Sequence, residues 1–406
     1  MRLGWGGQGI KALLPRAPTC PPVRVFLVAL ILASFLPIWI GSADPWWRVK
    51  EWAVLMVGCG WLATRHILNL RPIRSGQDKW LAILMIGLLT HFFLLFVLPI
   101  IRIPNKLFQV PWPWMTFLHA MIALTWLSDM RRLIRKEDVR FLVTFMAGLG
   151  VLLSTYMVFQ KLELDPIIWF IQKKYSGFKW LAENHVVGLM GNPFQAGATL
   201  AVLTPLISFK AFQKRRTAWK LLLPLSLAAC YFTSSLSSLV AALVGCMFGA
   251  GILQTRRAVL FFLGVIVLLF IGILLVQPQV LLDIGRLEIW RKSLHHILKH
   301  PILGVGLSQF KLLGIVQTPN VAYEVRWAHN EWIHFTTELG IGWTLFLAAY
   351  LSRETLKLFR IHPAICGAFI SILILSFFHI PFHLAPTLAV AGVCLSSSHL
   401  EQRKGV

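Results

Sequence analysis

The sequence predicts an all-α, polytopic membrane protein with about twelve transmembrane helices, and two features carry this prediction. Of the 406 residues, 57% are hydrophobic and only 14% are charged, whereas soluble domains carry about 25% charged residues. Apolar stretches of about 20 residues, the length that a bilayer core requires, recur along the chain. A water-soluble fold could not bury this much apolar surface.

Hydropathy divides the chain into apolar segments separated by short polar connections. The predicted spans are 25–42, 51–68, 80–101, 112–129, 140–159, 193–209, 219–233, 237–254, 258–276, 331–352, 363–379 and 384–398. An even number of spans places the N- and C-termini on the same side, which we predict to be cytoplasmic. The resulting units are a tail (1–24), a membrane domain with an outer loop near 160–192 (25–276), a large helical extracytoplasmic loop (277–330), the C-terminal membrane helices (331–398) and a second tail (399–406).

The charge pattern supports this topology. The net charge is +23, but the basic residues come in short clusters between apolar runs, as the positive-inside rule expects of cytoplasmic loops. We therefore predict no nucleic-acid partner. The two long outer loops are basic as well, contrary to the rule. They indicate either an anionic ligand such as a diphosphate or contact with anionic lipid headgroups.

The larger outer loop begins with an amphipathic pattern at residues 283–300. Arg286 and Trp290 share one helical face, whereas Arg291 lies well round from Arg286, so the two arginines need not touch the same group. Gly304 and Gly306 follow the helix and allow a tight turn. A helix lying on the bilayer surface would show a similar pattern.

The loop ends in a histidine at the mouth of the next span. A neutral His329 imidazole can accept a proton near pH 7, and Arg326 three residues earlier can attract an anion. The alternative is that His329 or Asn330 merely caps the helix that follows.

Glu338 lies deeper in the same predicted span, with His334 one turn earlier. An ionisable residue within a span implies a partner or a wet cavity. Gly340 and Gly342 would let a neighbouring helix approach closely, so packing explains this stretch as well as function does. Histidines also cluster in the last outer turn, but Cys is absent there and acids are few. We predict neither a metal nor another cofactor.

Two segments of the loop resemble the signatures of the O-antigen ligase and polymerase superfamily. Residues 285–291 and 300–306 resemble its R-x-x-x-W … P-x-x-G-x-G pattern, and His329-Asn330 followed nine residues later by Gly340 resembles the second signature. The resemblance covers roughly residues 140–398. It departs from the family at Leu236, where an arginine often follows the serine, and Lys173 and Lys174 are candidates to supply that anion contact.

The resemblance implies a GT-C-like glycosyltransferase of the bacterial inner membrane with its active site facing the periplasm. Its reaction would be an inverting, metal-independent transfer of a glycan from undecaprenyl diphosphate to lipid A-core. His329 would activate the acceptor hydroxyl. The resemblance implies that Arg286 and Arg291 bind the diphosphate; Arg326, Lys173 and Lys174 are further candidates for diphosphate binding on their charge and position. The candidate supporting residues are Asn330, Trp290, Glu338, Gly304, Gly306 and Gly340.

Three alternatives stay open. An O-antigen polymerase and a protein O-oligosaccharyltransferase belong to the same superfamily and differ from the ligase in their acceptor. A transporter or flippase of lipid-linked glycans belongs to another class, and it predicts ionisable residues deep in several spans. The spans here are poor in such residues.

Overall fold

The computed structural model describes residues 21–35, 48–67, 79–96, 112–165, 186–213, 217–254, 284–310, 313–315, 325 and 327–400. Thirteen α-helices lie within these residues. In chain order they are α1 Pro21–Phe35, α2 Arg48–Ile67, α3 Lys79–Phe96, α4 Trp112–Leu133, α5 Lys136–Lys161, α6 Pro193–Ala211, α7 Thr217–Phe232, α8 Leu236–Gly249, α9 Ile284–Lys299, α10 Glu331–Leu339, α11 Ile341–Ile361, α12 Pro363–Leu375 and α13 Ala385–Ser397.

The helices agree with the predicted all-α class. Every predicted span falls on an α-helix except 258–276, which lies outside the described residues. One described helix, Lys136–Lys161, is long and apolar enough to cross a membrane by itself. Shorter apolar helices accompany it at Val23–Phe35, Ala53–Thr64, Lys79–Leu94, Thr217–Phe232, Leu236–Gly249, Pro363–Leu375 and Ala385–Leu400. This composition is that expected of an integral membrane protein.

Helices α6, α8 and α12 pack against one another at the centre of the bundle. Small residues allow their backbones to approach, because a Cβ added to Gly245 would meet Ser371 and the carbonyl oxygen of Gly367. The hydroxyl of Ser371 donates to the carbonyl of Ala241 at 2.8 Å. Close approach of this kind is how apolar helices associate where lipid offers no hydrophobic driving force.

A buried ion pair joins three other helices at the predicted cytoplasmic end. Arg131 of α4 donates to Glu354 of α11 at 3.1 Å and to the carbonyl of Leu395 in α13 at 3.1 Å. Glu354 is fully buried, and Lys357 donates to its other oxygen at 2.8 Å. The pair links α4, α11 and α13 at one point.

The predicted span 331–352 is two helices rather than one. Gly340 has a φ of 84°, which ends α10 after nine residues and starts α11 in a new direction. The expectation that Gly340 admits a neighbouring helix was wrong: a Cβ there would meet the carbonyl oxygen of Ile302, in the loop after α9. Helix α10 is therefore too short to cross a bilayer.

Candidate functional site

Helix α9 forms where the amphipathic pattern predicted it, and the face that carries Arg286 and Trp290 turns inward. Ile289, Ser293 and Ile297 are buried, and Arg286 and Trp290 on the same side are partly buried. Residues three and four apart share a helical face. The sequence therefore turns one arginine and one tryptophan of α9 toward the rest of the protein.

Trp290 ties α9 to the segment that carries His329. Its indole Nε1 donates to the carbonyl of Ala328 at 2.8 Å. The next residue, His329, has a φ of 52°. A non-glycine residue in the left-handed region costs of order 1–3 kcal/mol and is found most often where the surroundings enforce a functional geometry.

Asn330 caps α10, so the capping alternative holds for this residue. Its Oδ1 accepts from the backbone amides of Trp332 at 3.0 Å and Ile333 at 3.1 Å, which satisfies two of the amides that a helix start leaves open. Its Nδ2 donates to the carbonyl of Phe377 at 3.1 Å. The cap thus also fastens α10 to the turn after α12.

Arg286 reaches the same turn from α9. Its Nη1 donates to the carbonyl of Phe378 at 3.2 Å, and its guanidinium carbon lies 5.8 Å from the ring centroid of Phe194, at the start of α6. Arg286 and Asn330 therefore bind adjacent carbonyls of one turn. This brings the first signature segment and the second to the same place.

His379, in that turn, is one of the histidines that the sequence showed to cluster there, and no role in the site was predicted for it. Its Nε2 is hydrogen-bonded to the hydroxyl of Ser237 at 2.8 Å, near the start of α8. Burial lowers the pKa of His379 to about 3, with further lowering by the nearby Arg286 and His329. Its imidazole is therefore neutral at physiological pH.

The loop after α9 donates hydrogen bonds to the C-terminal carbonyls of α10. The amide of Val305 donates to the carbonyl of Thr337 at 2.8 Å, and that of Gly306 to the carbonyl of Glu338 at 2.9 Å. The last carbonyls of a helix have no partner within it, so the loop supplies one. Gly304 (φ 63°) and Gly306 (φ 107°) adopt the backbone that this approach requires, as the predicted tight turn anticipated.

Glu338 holds the loop from the other side. Its carboxylate accepts from the amides of Ser308 at 2.8 Å and Phe310 at 3.0 Å. Burial raises its pKa to about 7, against the lowering effect of these two amides. His334 Nε2 lies 3.6 Å from the carboxylate, but burial holds the pKa of His334 well below its usual value. The contact joins a carboxyl group to a neutral ring, and the predicted partner of Glu338 is thus chiefly the loop backbone.

Two further contacts escaped sequence reasoning because each joins distant parts of the chain. Nε2 of His91 in α3 donates to the carbonyl of Leu303 at 2.7 Å. Nδ1 of His383 donates to the fully buried carboxylate of Glu331 at 2.6 Å. The sequence contains only weak signals for them: His91 lies in an apolar helix, and Glu331 follows a helix cap.

Of the other predicted anion-binding residues, Arg291 is within the described part of the chain, and its side chain is not at the turn that Arg286 contacts. Arg291 has a side chain 73% exposed and is paired with Glu288 at 2.8 Å on the outer face of α9. Arg326, Lys173 and Lys174 lie outside the described residues. Among the residues that are described, no three His, Cys, Asp or Glu side chains are grouped to hold a metal ion.

Comparison with known proteins finds a family similarity over part of the chain. No curated protein matches the chain. Residues 221–348 match the family model described as O-antigen ligase. The matched segment runs from α7 into α11 and includes Arg286, Trp290, His329 and Gly340. The resemblance inferred from the signature segments is therefore confirmed: residues 221–348 are similar to the O-antigen ligase family.

Proposed function

We propose that the protein is an inverting, metal-independent glycosyltransferase of the O-antigen ligase type. The donor is a glycan on undecaprenyl diphosphate, and the acceptor is lipid A-core. The reaction takes place on the periplasmic side of the bacterial inner membrane, with the apolar helices accommodating the polyprenyl tail. The family match at residues 221–348 supports a transferase that uses lipid-linked glycans.

The observation that carries the proposal is the connection between α9 and His329. Trp290 lies one turn after Arg286, and its hydrogen bond at 2.8 Å fixes the carbonyl of the residue just before His329. Arg286 donates to the carbonyl of Phe378 at 3.2 Å. Asn330, the residue after His329, donates to the preceding carbonyl of the same turn at 3.1 Å. The attachment of both segments to one turn supports a site that combines a cation with an imidazole.

These two residues suit the two halves of the reaction. Arg286 carries a permanent charge and can hold phosphate oxygens in two hydrogen bonds. His329 takes the proton of the acceptor hydroxyl as the acceptor oxygen bonds to the anomeric carbon of the donor sugar. The bond from that carbon to the phosphate oxygen breaks, and undecaprenyl diphosphate leaves with the electron pair. General-base catalysis of this kind contributes typically about 10²–10⁴-fold.

The remaining predicted residues are part of the proposal, some because of their contacts and others because of their charge and position in the sequence. Asn330, Trp290, Glu338, Gly304, Gly306 and Gly340 support the site through the contacts described above. Arg326, Lys173 and Lys174 are proposed as further diphosphate ligands on their charge and position in the sequence. Arg291 is proposed likewise, and to contribute it must leave Glu288 and reach a ligand on the outer face of α9.

The test is glycan transfer by the purified full-length protein, given undecaprenyl diphosphate-linked glycan and lipid A-core with a chelator present. His329→Ala and Arg286→Ala are compared with the wild type, and His295→Ala on the exposed face of α9 serves as the matched control. We expect transfer by the wild type and the control and a loss of at least about 100-fold in both site variants.

Two outcomes contradict the proposal. Full activity in the folded His329→Ala and Arg286→Ala variants would contradict the assignment of the site to these residues. Absence of transfer to lipid A-core by folded wild type would reject the ligase, and parallel assays with a lipid-linked glycan and a Ser/Thr peptide then identify a polymerase or a protein glycosyltransferase.

A further inference from the structure

The start of α8 holds His379 in place through one ring nitrogen. Its Nε2 is hydrogen-bonded to Ser237 at 2.8 Å and lies 3.5 Å from the hydroxyl of Ser235. Ser235 is the N-cap of α8, and its hydroxyl accepts from the amide of Ser238. The imidazole is therefore fastened to the start of a helix whose other contacts lie in the centre of the bundle, and its orientation is fixed.

The same turn holds the guanidinium of Arg286. The residue before His379 supplies the carbonyl to which Arg286 Nη1 donates at 3.2 Å. Phe194 completes the enclosure, since its ring centroid is 5.8 Å from that of His379 and 5.8 Å from the guanidinium carbon of Arg286. Two chain segments, this turn and the start of α6, thus contact the guanidinium of Arg286, and His379 belongs to the first and packs against the second.

The charge state of His379 matters because of this proximity. A protonated imidazole next to Arg286 would repel the guanidinium and compete with it for an anion. Burial keeps the ring neutral, and the lowered pKa of about 3 leaves it so throughout the physiological range. The ring can therefore support Arg286 through the backbone of this turn and the ring of Phe194 without adding a second positive charge.

We propose that His379, fixed by Ser237, is a positioning residue that sets the orientation of Arg286 toward the diphosphate of the donor. The inference rests on the proposed function, because it assigns the ligand of Arg286. Its consequence is specific to the donor: disturbing His379 weakens donor binding and leaves the affinity for the acceptor unchanged.

The experiment uses the full-length protein and four variants of this cluster. His379→Gln keeps a side chain able to hydrogen-bond Ser237, His379→Ala removes it, His379→Lys places a permanent charge next to Arg286, and Ser237→Ala removes the anchor. His295→Gln, on the exposed face of α9, is the control. Each is assayed for donor KM, acceptor KM and kcat, for binding of undecaprenyl diphosphate alone, and for its melting temperature.

We expect a graded effect on the donor. Loss of one buried hydrogen bond raises the donor KM roughly ten-fold in His379→Ala and in Ser237→Ala, while His379→Gln stays within about three-fold of wild type. The like charge in His379→Lys raises the donor KM by about 100-fold. The acceptor KM is unchanged throughout, which a general loosening of the fold would not produce.

Two results would overturn the inference. Equal or tighter binding of undecaprenyl diphosphate by His379→Lys would make residue 379 a direct anion ligand. Unchanged donor KM in a folded His379→Ala would leave the ring only a packing role. If His379→Lys does not fold, the comparison of His379→Gln with His379→Ala decides. If wild type transfers glycan to none of the acceptors, the proposed function fails, and binding of undecaprenyl diphosphate still tests the role of His379 separately.

Discussion

The indole of Trp290 and the carbonyl of Ala328 are joined by a hydrogen bond of 2.8 Å that crosses 38 residues of sequence. It is the direct link between α9, which carries Arg286, and the residue preceding His329. Since α9 and α10 also pack against each other, the two signature segments form one unit whose parts are positioned together.

Trp290→Phe should lower transfer without unfolding the protein. The ring is kept, but the carbonyl of Ala328 loses its donor, and a small displacement of a reacting group is costly to the rate. We expect kcat to fall by roughly ten-fold at an unchanged melting temperature. The matched control is Trp332→Phe, because the indole nitrogen of Trp332 is buried with no hydrogen-bond partner; its removal should change nothing. An equal loss in both variants would contradict the role of this hydrogen bond.

Gly340→Ala should prevent the protein from accumulating in a folded form. The residue has a φ of 84°, and an added Cβ would collide with the backbone carbonyl of Ile302, which cannot move aside as a side chain does. Gly342→Ala is the control, since a Cβ there meets nothing within 4 Å. In α11 that change should stabilise the helix by up to about 1 kcal/mol. Melting temperature and yield in detergent measure both, and a folded, wild-type-like Gly340→Ala protein would refute the structure of this corner.

Glu338 should make the stability of the protein fall as pH rises from about 5 toward 8. Burial raises the pKa of this carboxyl to about 7 from its ordinary 4.5, so the folded state binds more protons than the unfolded state across this range. Stability is then highest below the ordinary pKa and is lost as pH passes through the raised one. Melting temperatures measured at several pH values should show this slope in wild type. They should show a flatter one in Glu338→Gln; an unchanged slope would mean that another group titrates.

Removing one partner of the Arg131–Glu354 pair should destabilise the protein strongly. Both side chains are almost fully buried, at 3% and 0% exposed, so Arg131→Met leaves an acidic group without its main counter-charge and should cost about 3–5 kcal/mol. Arg291→Gln is the comparison, because its partner Glu288 remains accessible to water and loses little. Thermal unfolding should separate the two variants clearly. Similar melting temperatures for both would show that the buried pair contributes no more than the exposed one.

Sequence periodicity was sufficient for the helices and for the signature segments. The apolar runs located most of the described helices, and the amphipathic pattern placed Arg286 and Trp290 on one face of α9. The family resemblance rested on the same residues. These features could be predicted because each depends on residues close together in the chain.

The break at Gly340 and the contacts of His379 could not be predicted in the same way. Nothing local distinguishes a glycine within an apolar run from one that ends a helix; the loop at Ile302 decides it. Likewise His379 meets Ser237 across 142 residues, and a single sequence contains no signal for such a pair. For Glu338 the sequence predicted a partner or a wet cavity without identifying it, and the partners are backbone amides of the loop.

The hydrogen bond from His91 to the carbonyl of Leu303 shows that the segment matched by the family model is held in part by residues outside it. His91 precedes the matched segment 221–348, as does Phe194, whereas Phe378 and His379 follow it. A chimera that exchanges only this segment with a relative would separate Arg286 and His329 from these contacting residues. Grafting donor specificity onto another protein would therefore require the contacting parts of α3, α6 and the turn after α12 to move with the segment.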